Sequence, residues 1–401
     1  MRNSTDDIDK LITNLDITPS MYLIARSRYQ TVANELSRQG IDADFYPQGS
    51  FRLGTVVRPF VKGEDKQYDL DVIGESTQSK KDIDPDILKY SFGEALRKAP
   101  SLSPFLLPED NRCWTLNYKD YDFQLDIVPS VRETYEYIDS LFKKGVPIEF
   151  AQNAIAITHK YSPELYKWDE SNPHGYAAWF DGINEPYLQI TREKHRMQVL
   201  KENRAIFASV EEIPPILDRS ALQRVIQILK RHRDVFFANA SIANERIWDM
   251  RPISAIITTL CARIAQSCIP TANILELLQL IAGELRAHSF LQNENDSILF
   301  ESKRTRTFIR KFSGKWSIKN PVNPDDDYTD LWTTEHAKWF FKWLDAVNED
   351  FFIDLNTEEK RHFSALKKSF GAKYVENIIP ESKQTTPIII TAGTKPYGIG
   401  K

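Results

Sequence analysis

Two short runs of alternating residues constrain this chain most. In Phe123–Val128, Phe123, Leu125 and Ile127 alternate with Gln124, Asp126 and Val128. In Tyr68–Ile73, Asp69 and Asp71 flank Leu70. A period of two belongs to a strand, whose residues i and i+2 share a face. Asp69 and Asp71 therefore project together, with Leu70 turned the other way. Asp126 faces opposite to Phe123, Leu125 and Ile127. If the two strands are neighbours, three carboxylates converge on one sheet face. Cys113–Tyr118 reads as a further strand, antiparallel to Asp122–Val128, and Ala43–Pro47 as a short strand leading into Gln48-Gly49-Ser50.

Helical signals bracket and follow these strands. Thr18 is a capping residue and Pro19 suits the first helical position, so a helix should run to about Gln39 and stop at Gly40. Ile83–Lys98 reads as a helix between the carboxylate strands. From about residue 217 the period becomes helical: Asp218 is the expected N-cap, with Leu222, Val225, Ile226 and Leu229 behind it. Pro252 should open a second helix, carrying Ile253, Ile256, Ile257 and Leu260 on one face. Ile274–His288, Thr334–Phe352 and Glu358–Phe370 complete the set. The reading is an α/β lobe over 1–216, a helical lobe over 217–380 and a mobile tail over 381–401. A cleft between two such lobes is a common place for a small-molecule site.

Composition narrows the class. Of 401 residues 41% are apolar and 11% aromatic, enough for a sizeable core. With 56 acidic and 52 basic residues the net charge is −4, which does not point to a general nucleic-acid binder. Cys113, Cys261 and Cys268 have neither disulfide nor zinc-site spacing and read as free thiols in a reducing cytoplasm. The polar start MRNSTDDIDK is not a signal peptide, and no apolar run is long enough to span a membrane. Lys303, Arg304, Arg306, Arg310, Lys311, Lys315 and Lys319 surround Phe308, Phe312 and Trp316. That stretch reads as a solvated face with inward-packing aromatics before it reads as an RNA-binding patch. The aromatics between Trp339 and Phe352 recur at helical spacing and read as core.

Two adjacent carboxylates on one face repel unless a cation lies between them. Three hard oxygen donors on a rigid sheet suit Mg²⁺, which keeps water ligands and shares phosphate oxygens. Two such ions can clamp the attacking and leaving oxygens of an in-line displacement. Upstream, the Gly49-Ser50 turn offers close backbone approach, amides and a hydroxyl, the groups that hold phosphate oxygens.

A Gly-Ser turn, then Asp-x-Asp, then a strand Asp, in that order, resembles the DNA polymerase β-like nucleotidyltransferases. More closely, Tyr46–Arg58 (YPQGSFRLGTVVR), Tyr68–Ile73 (YDLDVI) and Phe123–Val131 (FQLDIVPSV) resemble the bacterial cGAS/DncV-like nucleotidyltransferases of CBASS anti-phage defence. Pro173–Phe180 (PHGYAAWF), Leu222–Asp234 (LQRVIQILKRHRD), Arg251–Leu260 (RPISAIITTL) and Trp316–Trp332 (WSIKNPVNPDDDYTDLW) extend the likeness over nearly the whole chain.

The resemblance implies an α+β fold: a polymerase β-like lobe with a mixed sheet, a C-terminal all-helical lobe and the active site in the cleft between them. It implies that Asp69, Asp71 and Asp126 hold two Mg²⁺ ions, with Mn²⁺ able to substitute. Gln48, Gly49 and Ser50 fall on its nucleotide-binding turn, and Lys230 and Ser254 on positions that contact the donor triphosphate. The residues agree in part: Lys230 lies beside the apolar stripe ending at Leu229, and Ser254 falls in the first turn after Pro252, where unpaired amides favour phosphate. The implied activity is synthesis of a cyclic di- or trinucleotide second messenger from NTPs, ATP among them, with an adenine-containing product. The implied partner is a CBASS accessory protein, ubiquitin-transfer-like or HORMA, engaging the C-terminal tail. Direct activation by double-stranded DNA is not expected, because three cysteines cannot build the zinc module of the animal DNA sensor.

Overall fold

The computed structural model describes residues 4–202, 218–293, 307–353 and 359–379. Lys303, Arg304, Arg306 and the tail 381–401 lie outside them. The chain runs α1 (Ser4–Leu15), α2 (Pro19–Arg38), β1 (Ala43–Pro47), α3 (Gly49–Leu53), β2 (Phe60–Val61), β3 (Glu64–Asp65), β4 (Tyr68–Ser76) and α4 (Pro85–Lys98). It continues through β5 (Trp114–Tyr118), β6 (Phe123–Arg132), α5 (Tyr135–Lys143), α6 (Ile148–Ala151), β7 (Ile155–Ser162), β8 (Leu165–Ser171) and α7 (Pro173–Glu202). The second half holds α8 (Ala221–Ser241), α9 (Ser254–Ala265), α10 (Ile274–Arg286), the hairpins β9–β10 (Arg310–Phe312, Lys315–Ser317) and β11–β12 (Lys319–Asn320, Asn323–Asp327), then α11 (Thr334–Asn348), α12 (Glu359–Phe370) and α13 (Ala372–Ile378).

The main sheet has the order β1-β4-β6-β7-β8, with β5 also paired to β6. It is mixed: β4 and β6 are parallel, and β1, β5 and β7 join antiparallel. One face, with Leu70, Val72, Leu125 and Ile127, is sealed by α2 and α4 through Val32, Leu36, Phe92 and Leu96. That leaves the Asp69, Asp71 and Asp126 face toward the second half of the chain. The α2 helix starts as its sequence dictates, with Thr18 Oγ1 accepting from Met21 N at 3.2 Å.

The helical lobe is organised on α8, which is buried nearly all round. Its cap is Ser220 and not Asp218. Ser220 Oγ accepts from Gln223 N (3.0 Å) while Gln223 Oε1 accepts from Ser220 N (2.9 Å). That reciprocal capping box outcompetes a lone carboxylate, and Asp218 instead accepts from Arg192 Nε at 3.4 Å. The next helix starts at Ser254 and not at Pro252, because the Pro252 carbonyl accepts from Arg233 Nη1 (3.0 Å) and holds that residue outside the helix. Helix α1 packs Ile8, Leu11, Ile12 and Leu15 into the same core as α8. Trp343, Phe340, Phe341 and Phe351 are core, as their spacing indicates. In the basic stretch Trp316 is buried, and Lys311 is buried with it, donating to the Leu291 carbonyl at 2.8 Å. No helix among the described residues is long and apolar enough to cross a membrane.

The two halves are stitched along residues 53–58. Four side chains of one α8 face donate to backbone carbonyls there: Gln223 to Leu53 (2.8 Å), Gln227 to Val56 (2.8 Å), Lys230 to Thr55 (3.1 Å) and Arg231 to Arg58 (3.3 Å). Gly54 permits this approach. Its φ is +64°, and a Cβ would sit 2.4 Å from Gln223 Nε2. Gly54→Ala should therefore strain the backbone and break the Gln223 bond, costing about 2–3 kcal/mol together. Thermal unfolding of the variant should show a lower Tm; an unchanged Tm would mean that this seam does not hold the lobes.

Candidate functional site

The site grows from strand register. On the parallel pair β4–β6, Asp71 stands directly beside Asp126, and Asp69 lies two residues earlier on the same face. Neighbouring strands are about 4.8 Å apart and i, i+2 residues about 6.6 Å, so the three carboxylates share one small patch. β5 supplies a group that the sequence reading missed. Thr115 lies opposite Asp126 and its Oγ1 donates to Asp126 Oδ1 at 2.5 Å, fixing that carboxylate's orientation. Only the pairing of β5 with β6 reveals Thr115, although its alternation with Cys113 and Asn117 was visible.

The Gly-Ser turn is tied to the same strand. Gln48 N donates to the Asp71 carbonyl at 2.8 Å, and Thr55 N to the Ser50 carbonyl at 2.9 Å. Gly49 has φ +61°, and a Cβ there would stand 2.6 Å from Asp71 Oδ2. The turn thus brings its bare backbone against a carboxylate, which no other residue could do without displacing it.

Across from the sheet, α8 and α9 close a cleft of about 790 Å³. All eight residues singled out from sequence line it: Gln48, Gly49, Ser50, Asp69, Asp71, Asp126, Lys230 and Ser254. Lys230 is almost fully buried and its Nζ donates to Thr55 O and Thr55 Oγ1 (3.1 and 3.2 Å). Ser254 Oγ accepts from Arg233 Nη1 at 3.1 Å, and Arg233 is itself paired with Asp234 at 2.7 Å. Arg233 and Arg251, both on the cleft wall, received no role from the sequence, where they stand only within the stretches Leu222–Asp234 and Arg251–Leu260. Tyr176 and Tyr328 line the same cleft, and Tyr176 Oη shares a hydrogen bond with Thr259 Oγ1 at 2.8 Å.

The charges are unbalanced. Burial first, then Asp126, pushes Asp69 up to about 6. Burial, then Asp126 and Asp69, pushes Asp71 up to about 7, against the pull of Lys230. Asp126 is also raised by burial, while its Thr115 hydrogen bond opposes that. Burial, followed by Arg233, draws Lys230 down to about 7. Carboxylates raised by burial, and in Asp69 and Asp71 also by neighbouring carboxylates, on rigid strands facing a cleft, are hard oxygen donors of the type that Mg²⁺ takes. Among the described residues no group of three or more His, Cys, Asp or Glu side chains stands close enough to hold a metal ion unaided. An ion held here would keep places for water or substrate oxygens, as Mg²⁺ prefers.

No family model matches the chain. It is 24% identical over 358 residues to a c-di-GMP synthase of Roseivirga ehrenbergii, covering 86% of this chain and 78% of that protein. Its fold is that of Bradyrhizobium diazoefficiens CdnG, a CD-NTase solved with GTP: TM-score 0.65 and 22% identity, over 93% of this chain and 97% of that one. The CdnC of Escherichia coli MS115-1 superposes with TM-score 0.57 in its ATP-bound structure, at 16% identity over 92% and 98% of the two chains. The same CdnC in complex with HORMA-deltaN gives 0.55, at 15% identity over 92% and 96%. Both the sequence likeness and the superposition span nearly the whole chain, the two-lobed cleft included, and the fold of this chain is that of the CD-NTases.

Proposed function

We propose that this protein makes a cyclic oligonucleotide from nucleoside triphosphates, releasing pyrophosphate. The observation that carries the reading is the in-register pair Asp71–Asp126, with Asp69 beside it, facing a cleft whose opposite wall bears Lys230. A ribose hydroxyl oxygen attacks the α-phosphorus of a second nucleotide. The Pα–O–Pβ bond breaks, the electron pair leaves with pyrophosphate, and the hydroxyl proton passes to solvent. A second such step on the linear product closes the ring. Asp69, Asp71 and Asp126 would hold Mg²⁺, for which Mn²⁺ could substitute, and bound metal would supply positive charge for activating the hydroxyl and for the leaving group.

The chain's own part is positioning and charge. Asp69 and Asp71 would hold the metal, while Asp126, held by Thr115, would orient the attacking hydroxyl. Backbone amides of Gly49 and Ser50 and the Ser50 hydroxyl hold phosphate oxygens beside Asp71. Lys230 and Ser254 hold the triphosphate from the far wall. The adenine expected from sequence gains no support from a relative named for c-di-GMP; the reading here is a purine product. By resemblance alone, we extend the proposal to a role for that product in anti-phage signalling and to engagement of an accessory protein by the segment 381–401. The HORMA complex of CdnC is the nearest support for such a partner.

Incubation with mixed NTPs and Mg²⁺ or Mn²⁺, without any macromolecular acceptor, should yield a cyclic product by mass spectrometry. Linear chains only, or no pyrophosphate, would sink the reading. Asp69→Asn with Asp71→Asn should abolish that product.

The same double variant has a stability readout. Carboxylates whose folded pKa is raised favour the fold while protonated. That contribution is complete below the unfolded value of about 3.9 and is lost as pH rises to about 6 for Asp69 and about 7 for Asp71. At neutral pH without metal the double variant should melt no lower than the native chain, and about 2 °C or more higher. Mg²⁺ should raise the Tm of the native chain alone, with binding that tightens as pH climbs through 6–7. A metal-free double variant that melts well below the native chain would show that these carboxylates stabilise the fold.

Lys230→Ala should weaken NTP binding about ten- to a hundredfold, the worth of a charge-assisted contact. An unchanged KM would remove Lys230 from the site. Deleting residues 388–401 should leave NTP turnover in vitro within about twofold, since no proposed site residue lies there, and should reduce anti-phage defence in cells. Loss of most activity in vitro would contradict a role confined to partners.

A further inference from the structure

Four cations line the cleft: Arg52, Lys230, Arg233 and Arg251. Three of them are spent on the protein. Arg52 pairs with Asp181 at 2.6 Å, Lys230 donates to Thr55, and Arg233 is divided among Asp234, Pro252 O and Ser254 Oγ. Arg251 differs. Its guanidinium lies 3.7 Å from the centroid of the Trp248 ring, and no acceptor among the described residues takes a hydrogen bond from it. Of the carboxylates near enough to influence it, Asp234 is occupied by Arg233 through two nitrogens, and Asp249 makes no ion pair with it.

The backbone fixes this arrangement. Arg251 follows the helical turn Glu245–Met250, its N–H reaching back to the Trp248 carbonyl, and precedes Pro252, whose carbonyl is held by Arg233. The guanidinium carbon stands over the indole, and Arg251 lines the cleft. A guanidinium held on an aromatic ring with its donors uncommitted is suited to bidentate phosphate recognition, two N–H groups meeting two oxygens of one phosphoryl group. Ser254, three residues on, and Lys230 line the same cleft.

We propose that Arg251, oriented by Trp248, binds the terminal phosphates of the incoming triphosphate and then the departing pyrophosphate. This rests on the nucleotidyltransferase reading above, and the test separates the two. Inorganic tripolyphosphate with Mg²⁺ is titrated into the full chain by calorimetry, with no turnover needed. Arg251→Gln should weaken its binding about ten- to a hundredfold, and Arg251→Lys by less, since a point charge keeps attraction but loses the fork. With NTPs, Arg251→Gln should raise KM more than it lowers kcat. Tripolyphosphate should also perturb indole fluorescence in the native chain and not in Trp248→Phe. Equal tripolyphosphate affinity in the native chain and both Arg251 variants, or a native chain that turns over NTPs yet binds no tripolyphosphate, would overturn the proposal. Tripolyphosphate binding that depends on Arg251 in a chain making no cyclic product would overturn the functional reading and leave this site standing.

Discussion

The structure depends on a row of side chains from α8 that satisfies the backbone of residues 53–58. That segment leaves the Gly-Ser turn without a strand partner, so its carbonyls would otherwise be buried with no donor. Gln223, Gln227, Lys230 and Arg231 stand at i, i+4, i+7 and i+8, one face of a helix, and each meets a different carbonyl. The seam has direct consequences for the cleft. It sets the distance between the carboxylate sheet and α8, and it makes Lys230 a buried strut as well as a cation on the cleft wall. Arg231 extends the seam outward. It lies between the rings of Phe60 and Tyr374 (4.6 and 4.8 Å) and donates to the Phe370 carbonyl, so the cleft wall is wired to the C-terminal helices.

The cleft is thus a frustrated electrostatic object. Three carboxylates are forced together by strand register while burial denies them water, and the lysine opposite is itself desolvated. Neither side neutralises the other, because Lys230 gives its donors to Thr55. Ligands that bring positive charge to the sheet and negative charge to α8 relieve both strains at once. A metal–triphosphate complex has that polarity.

Much of this was legible in the sequence because it is local. Thr18-Pro19 states a helix start, alternation states a strand, and Asp69-Leu70-Asp71 states a shared face. The Gly-Ser turn and the strand Asp126 then needed only the family's order of motifs. What was not legible is what distance in sequence hides. The parallel register of Asp71 with Asp126 spans an inserted helix and strand. The β7–β8 hairpin and the long α7, with Pro186 inside it, carry weak periodicity. Thr115, Arg233 and Arg251 become site residues only when other elements are packed beside them. The two misplaced helix starts have one cause: Asp218 and Pro252 are good local signals, overruled by a capping box and by an arginine from another helix.

The α8 seam also orders events in time. Residues 53–58 leave the ribosome about 170 residues before the helix that satisfies them, roughly 9–34 s at 5–20 residues per second. Until α8 emerges, the Gly-Ser turn can touch its strand but cannot settle, and the apolar face of α1 has no core to join. The first lobe has its own core around the sheet but not the donors that residues 53–58 require. The turn beside the carboxylates is completed by a helix translated after it, so nascent fragments that end before α8 are born without one wall of the cleft.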